Sequence, residues 1–466
     1  MIKKCTYFIL VAVLSHGANA SSDEKNTQTS KEKSPCCHPR AQNNEVDKKS
    51  NATESPFERF FTIGASARFR YEVRDDRDYN SAVNDQSEFM GNRIRLDVSV
   101  HATEYLTAFI QPQFSRVWGQ TSSTTNQAGT VTTGALTSGV LSDPTFGMHQ
   151  AYAYWKICNK AALKIGRQEL AYGDHVVLGD VGWNNVGRSW DAGKFIIDLG
   201  SKHKLDFFYA TQAEKDTSSG IIVGNADIAG AYASLRYDKF FQEVDLYSIW
   251  LRDHRAGSPS TFHFGTFGLR LKYKKNMIDG RLEAAVQLGK AAGSTMVAWM
   301  VDYEEGITFD VLQGLRFAFG YNHASGDDAT NGRYTRYHAM FSTAHKWMGL
   351  MDHLGRQNIQ SGIAKVKLAV NKQWNTGLAF HSFWRVQRSD LIYNLVNNSV
   401  VAGQGATPGT RDKHIGEELD LVVNFSPKEF IQFQALGGIF LPGNYITKNI
   451  SNDWSYFAYL QSTFIF

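Results

Sequence analysis

The stretch RIRLDVSV, Arg93 to Val100, alternates without a slip. Ile94, Leu96, Val98 and Val100 fall on one side of an extended chain, and Arg93, Arg95, Asp97 and Ser99 on the other. In a soluble sheet the apolar side is the core. In a membrane barrel it meets lipid, and the charges line a wet lumen. The rest of the chain has to decide between the two.

Composition favours strands. Of 466 residues 13% are aromatic, with 40 glycines and only 9 prolines, a mix that suits many strands joined by glycine-containing turns. The longest apolar run, YFILVAVL from Tyr7 to Leu14, is far below the roughly 20 residues that a spanning helix needs. It follows Lys3 and Lys4 and precedes Ala18-Asn19-Ala20, so residues 1–20 read as a secretory signal peptide cleaved after Ala20. Cys5 precedes the apolar run rather than ending it, which argues against lipidation. The remaining cysteines, Cys36, Cys37 and Cys158, are odd in number and poorly spaced for a disulfide framework. A net charge of +4 gives no reason to expect a nucleic-acid partner.

Residues 21–56 are Lys, Glu, Ser, Thr and Asn with almost no large apolar side chain, and read as a polar, disordered periplasmic tail with room for a periplasmic partner. From residue 57 to 466 a two-residue period dominates, giving about eighteen candidate strands and no convincing amphipathic helix. Their connections alternate in length. HATEYL, ICNKAA, DLGSKHK, YDKFFQ, YKKNMIDG, VNKQWN and FSPKEF are short. Asp75 to Glu88, Gly119 to Pro144, Gly173 to Arg188, Ser325 to Leu354 and Ser389 to Arg411 are long, with Arg252 to Ser260 intermediate. Such asymmetry is expected of an all-β outer-membrane barrel, tight turns facing the periplasm and loops facing out. No repeat of a propeller blade is visible. The last strand, YFAYLQSTFIF, ends on Phe466 with Tyr456, Ala458, Leu460 and Phe464 in phase, and resembles the signal read by the outer-membrane assembly machinery.

On this reading the charges point inward, because a Lys or Arg facing lipid near the midplane costs roughly 2 to 4 kcal/mol. The same parity places Arg68, Arg70, Glu72, Arg93, Arg95, Asp97, Arg270, Lys272, Arg281, Glu283, Gln287, Arg316, Asn322, Lys365, Lys367, Arg385, Gln387, Glu418 and Asp420 in the lumen. Basic groups outnumber acidic ones. Guanidinium groups match carboxylates in a two-pronged geometry, so an anion-preferring pore follows, although the arginines equally serve to pair with Glu72, Asp97 and Glu418.

The most distinctive block is KIGRQELAYGDHVVLGDVGWNNVGRSWDAGKF, Lys164 to Phe195. Its GRQEL, YGD, WNNVGR and WDA elements resemble the alginate export family of bacterial outer-membrane proteins. The resemblance implies an eighteen-stranded barrel that conducts an anionic uronate polysaccharide through an arginine-lined pore constricted by loops. It also implies that Arg167, Glu169 and Asp174 stand near the external constriction, with Arg188 and Asp191 returning into the next strand. Strict alternation puts Arg167 in phase with Leu163 and Ile165, in lipid. A bulge at Gly166 is the expectation that turns it into the lumen.

In the loop Ser325 to Leu354, His338, His345 and His353 match no recognised zinc spacing. Trp347, Met348, Leu350, Met351 and Leu354 are expected to form a short amphipathic helix that lids the pore. No P-loop, dinucleotide fingerprint or nucleophile elbow appears, so no enzyme is expected, and passive conduction requires no cofactor. Three classes stay open: a conduit for an anionic saccharide, a general or small-anion porin, and a surface-binding barrel with a closed lumen. Outer-membrane lipid and lipopolysaccharide are the expected surroundings.

Overall fold

The structure is a computed structural model that describes residues 59–76, 79, 86–121, 124–125, 131–132, 145–212, 226–253, 262–328, 332–393 and 412–466. The signal peptide, the tail with Cys36 and Cys37, and most of the expected loops Gly119 to Pro144 and Ser389 to Arg411 lie outside the described residues.

Eighteen strands form the wall. They are β1 (Phe61–Asp75), β2 (Ser87–His101), β3 (Leu106–Thr121), β4 (Thr145–Cys158), β5 (Ala161–Gln168), β6 (Trp190–Gly200), β7 (His203–Gln212), β8 (Ala226–Arg236) and β9 (Phe241–Asp253). The second half comprises β10 (Phe262–Lys275), β11 (Ile278–Ala291), β12 (Ser294–Phe309), β13 (Leu315–Ala324), β14 (Ile359–Ala369), β15 (Trp374–Arg385), β16 (His414–Lys428), β17 (Ile431–Pro442) and β18 (Ser455–Ile465). Each strand pairs antiparallel with the next, and β18 returns to β1 with Ser66 opposite Ile465 and Asp75 opposite Tyr456. Backbone bonds between Ala65 and Phe466, at 3.1 and 2.8 Å, complete the seam. Closure leaves no open sheet edge, which is what lets a β-structure sit in hydrocarbon.

Burial answers the question raised by RIRLDVSV. Ile94 and Leu96 are each 42% exposed, whereas Arg93 is 2% and Arg95 4% exposed. The aliphatic row is on the outside. The same inversion holds along β13, where Phe317, Phe319 and Tyr321 are exposed and Asn322 is buried, and along β18, where Tyr456 and Leu460 face out. No other part of the described chain covers this apolar band, so it faces lipid. Aromatic side chains mark its two margins, among them Tyr105, Phe240 and Trp374 at the short-turn end and Trp118, Trp250 and Trp299 at the other.

The short connections read from the sequence are all turns at one rim, and the long ones all leave the other. One long-rim connection breaks the alternation. Strands β11 and β12 are joined by only Ala292-Gly293, both at positive φ (54° and 80°), the geometry of a tight hairpin turn.

Two of the long connections, 169–189 and the described residues of 325–358, fold back into the barrel. Phe341 accepts from Gly179 N at 2.9 Å and donates to the Val177 carbonyl at 3.2 Å, and Thr343 N donates to the His175 carbonyl at 2.9 Å. The two loops thereby form one body. Leu170, Val176, Leu178, Trp347, Met348 and Met351 pack with inward residues of the upper strands, such as Phe264, Phe383 and Phe440, into a continuous apolar cluster.

The amphipathic helix expected over Trp347 to Leu354 is absent. A single 3-10 turn, Ala344–Lys346, precedes a chain that passes through positive φ at Gly349 and Asp352. The reason is that these residues are buried on every side rather than on one face. Trp347 Nε1 donates to the Asp174 carbonyl (2.9 Å), while the backbone N–H groups of Leu350 and Met351 donate to the side chains of Asp420 (3.3 Å) and Glu418 (2.9 Å) instead of to a helical turn.

Candidate functional site: an arginine-braced constriction

The inward rows of β1 and β2 face each other across the ladder, with Arg68 opposite Arg93 and Ser66 opposite Arg95. Alternation therefore stacks like charges on one patch of wall, which is unfavourable unless something lies between them. What lies between is the tip of the 169–189 loop. Arg68 donates to the Gly182 and Asn184 carbonyls and to Asn185 Oδ1, each at 3.0 Å. Arg93 donates to the same two carbonyls at 3.0 Å. Arg70 reaches the Trp183 carbonyl at 2.7 Å and lies 4.0 Å from the centre of the Trp183 ring. Arg95 Nη2 reaches the Val186 carbonyl at 3.3 Å.

The loop comes so close to the wall that a Cβ on Gly91 would sit 2.4 Å from Asn185 Nδ2. Four guanidinium forks thus hold five consecutive loop residues, a task suited to a rigid planar donor array.

Acids enter this patch at its edges. Glu72 binds Arg70 (2.6 Å) and Arg74 (3.2 Å), and Glu169 accepts from Arg95 (3.5 Å) and His149 Nε2 (2.8 Å). Arg68, by contrast, is bonded to neutral oxygens and to no carboxylate among the described residues. Carbonyl dipoles fix the guanidinium without cancelling its charge, so this wall keeps positive character in a site where little water screens it. Ser189 Oγ lies 3.0 Å from His149 Nδ1, but the hydroxyl is turned onto the His149 carbonyl oxygen at 2.6 Å. Its proton is committed there, and Ser189, His149 and Glu169 act as a brace at the root of the loop.

The other expected site residues divide. Arg270 is inward and carries three carboxylates, Asp174 (2.8 Å), Glu243 (2.7 Å) and Asp245 (2.8 Å). Burial disfavours the ionised form of Asp174, but the Arg270 guanidinium outweighs it and holds this carboxyl well below the usual range. Arg316 is inward and binds Asp279 (2.6 Å) and Glu304 (3.0 Å). Arg385 is inward at the base of the 386–413 connection, where it caps the Arg388, Asp390 and Asp412 carbonyls. Arg188 clamps the two inward loops together through the Gly179 carbonyl (3.0 Å) and the Phe341 carbonyl.

Arg167 and Asp191 are on the outer face, contrary to the expected bulge. Gly166 takes φ +122°, yet the ladder runs unbroken from Gly166 opposite Tyr152 to Arg167 opposite Ala151. A Cβ at position 166 would sit 2.3 Å from the Ala151 carbonyl oxygen, so the glycine relieves a close approach and leaves parity unchanged. Arg167 is tolerated outside because Asp191 stands directly opposite and accepts two bonds of 2.8 Å. The row continues through Thr211 to Asp227, all polar. Arg167→Gln is accordingly expected to leave the ion selectivity of the channel unchanged in a salt-gradient recording.

A pair missed in the sequence lies on the same strands. Lys164 and Lys194 are directly opposite and inward, Lys164 over the Tyr152 ring (3.6 Å) and Lys194 near Asp206 (3.3 Å) and the Tyr172 ring (5.6 Å). Their parity with Ala162 and Gln168 was the available signal, overshadowed by the neighbouring arginine.

The histidines of the 325–358 loop diverge. His345 stacks on Trp183 (4.1 Å) and meets Asp352 (3.0 Å), while His353 meets Ser455 (3.1 Å).

The family model for alginate export proteins matches residues 59–458, the whole described barrel but for its last residues. The chain belongs to the alginate export family. It is an outer-membrane β-barrel, and the rim with the long connections is the external one. Solved structures similar in fold include OccAB2 of Acinetobacter baumannii, 10% identical with a TM-score of 0.60 over 87% of this chain and 98% of that one. OccK2 (OpdF) of Pseudomonas aeruginosa, solved in complex with glucuronate, is 10% identical with a TM-score of 0.56 over 87% and 97%. OpdK of the same organism, solved with vanillate, is 10% identical with a TM-score of 0.57 over 87% and 98%. No curated protein matches the alginate-export chain in sequence.

Proposed function

We propose that the protein is a passive conduit for anionic saccharides of the uronate class, passing them down a gradient through the braced constriction. The observation that carries this reading is the fastening of Arg68 and Arg93 to loop carbonyls, with Arg68 bonded to no carboxylate among the described residues. The two guanidiniums are buried and act through their field, not by touching the cargo. Direct contact falls to groups that keep partly open side chains on the lumen face, Lys194, Lys272 and Lys365. The Lys164 and Lys194 pair, flanked by Tyr152 and Tyr172, offers charge for a carboxylate beside rings for a sugar face. Glu169, one of the residues that the family resemblance put at the constriction, orients Arg95 there and is not itself a ligand for an anion.

A second reading, a channel for single small carboxylates, is favoured by the two loops that fill the outer half of the lumen. It also fits the glucuronate and vanillate with which two of the similar folds were solved. Single-channel recording with added oligouronate separates the two. Interrupted current at micromolar oligomer, with monomeric glucuronate far weaker, supports the polymer conduit. Equal effects of monomer and oligomer support the small-anion channel, and no current in any condition rejects both.

A further inference from the structure

On the outer wall, at the external ends of β9, β10 and β11, the register sets three basic side chains in one row. Arg252 stands opposite His263, and His263 opposite Lys290. All three are exposed. Arg252 shares its face with Trp250, and Lys290 with Leu288, both of which look out into lipid, so the row points away from the lumen. The carboxylate at the end of the row, Asp227 opposite Arg252, takes a 2.7 Å bond from Thr211 on its far side.

Depth fixes what the row meets. Trp250 and Trp299 belong to the aromatic margin of the apolar band, and Arg252 stands two residues beyond Trp250 toward the exterior. That is the level of lipid headgroups. The hairpin of β11 and β12 ends there, with Ala292-Gly293 adding no loop above Lys290. A multivalent anion at the same depth accepts hydrogen bonds from all three side chains.

We infer that Arg252, His263 and Lys290 form a binding site for the phosphate groups of the phosphorylated glycolipid of the outer leaflet. The site is independent of the conduction pathway, since none of the three faces the lumen. Bound there, the glycolipid ties the lowest part of the external rim to the surrounding leaflet.

The test uses the full folded barrel in nanodiscs of neutral lipid, with retained glycolipid read by native mass spectrometry. Wild type is expected to hold the bis-phosphorylated glycolipid, and the triple variant R252Q/H263Q/K290Q to hold it at least roughly tenfold more weakly, the scale of a few cationic contacts at a membrane surface. Dephosphorylated glycolipid on the unmodified protein gives the same loss without any substitution, so the result does not depend on the variant's folding. Conductance of the variant stays at the wild-type level. Equal retention of phosphorylated and dephosphorylated glycolipid overturns the proposal. So does full displacement of the glycolipid by millimolar inorganic phosphate, which would make this a site for the free ion.

Discussion

Replacing residues 176–187 by a short glycine-serine linker is expected to raise the single-channel conductance several-fold and to make the current noisy. The replaced segment contains the Gly182, Asn184 and Asn185 oxygens that bond Arg68 and Arg93, the Trp183 ring under Arg70, and the strand-like contacts from Val177 and Gly179 to Phe341. Its loss frees one loop and removes part of the support of the second. Trp347 keeps its bond to Asp174 and Met351 its bond to Glu418, so the 325–358 connection is loosened rather than expelled. The wall is untouched, because the strands close through their own ladders. Planar bilayer recording of the linker variant checks this, and a conductance equal to wild type would place the narrowest part of the path elsewhere.

The double substitution Arg68→Gln with Arg93→Gln is expected to carry the second-largest effect. It removes two positive charges from the constriction and leaves the Gly182 and Asn184 carbonyls with shorter, uncharged donors. A buried acceptor that loses its partner costs about 1 to 3 kcal/mol, so the loop tip is released as the charge is lost. Anion preference should fall and loop noise should rise together. The lysine pair Arg68→Lys with Arg93→Lys separates the two effects. It keeps the charge but not the fork, so anion preference survives while the noise remains. If the glutamine variant keeps its selectivity, the field is supplied by other groups, and Lys164 with Lys194 are next in line.

Much of the barrel is legible in a single strand. RIRLDVSV shows two faces, and the seven short connections placed all the turns of one rim but the one from Phe309 to Leu315. The lumen parity of Arg68, Arg70, Arg93, Arg95, Arg270, Arg316 and Arg385 follows from alternation alone. What the arginines bind does not, because Arg68, Arg93 and Arg385 reach backbone carbonyls, and a carbonyl leaves no mark in a sequence. Arg167 shows a different limit. Its expense in lipid made an inward turn attractive, but its partner Asp191 is distant in sequence and adjacent only in the ladder. The helix expected around Trp347 failed for a third reason. Apolar spacing describes one buried face, whereas a segment enclosed inside a barrel is buried all round.

The central claim is that guanidiniums held by loop carbonyls leave the constriction positively charged. Reversal potential of the unmodified channel across a potassium chloride gradient tests it most directly, at low ionic strength where surface charge is least screened. The account predicts a potential on the chloride side of zero that moves toward zero when Arg68 and Arg93 become glutamine. A wild-type potential on the potassium side would contradict it.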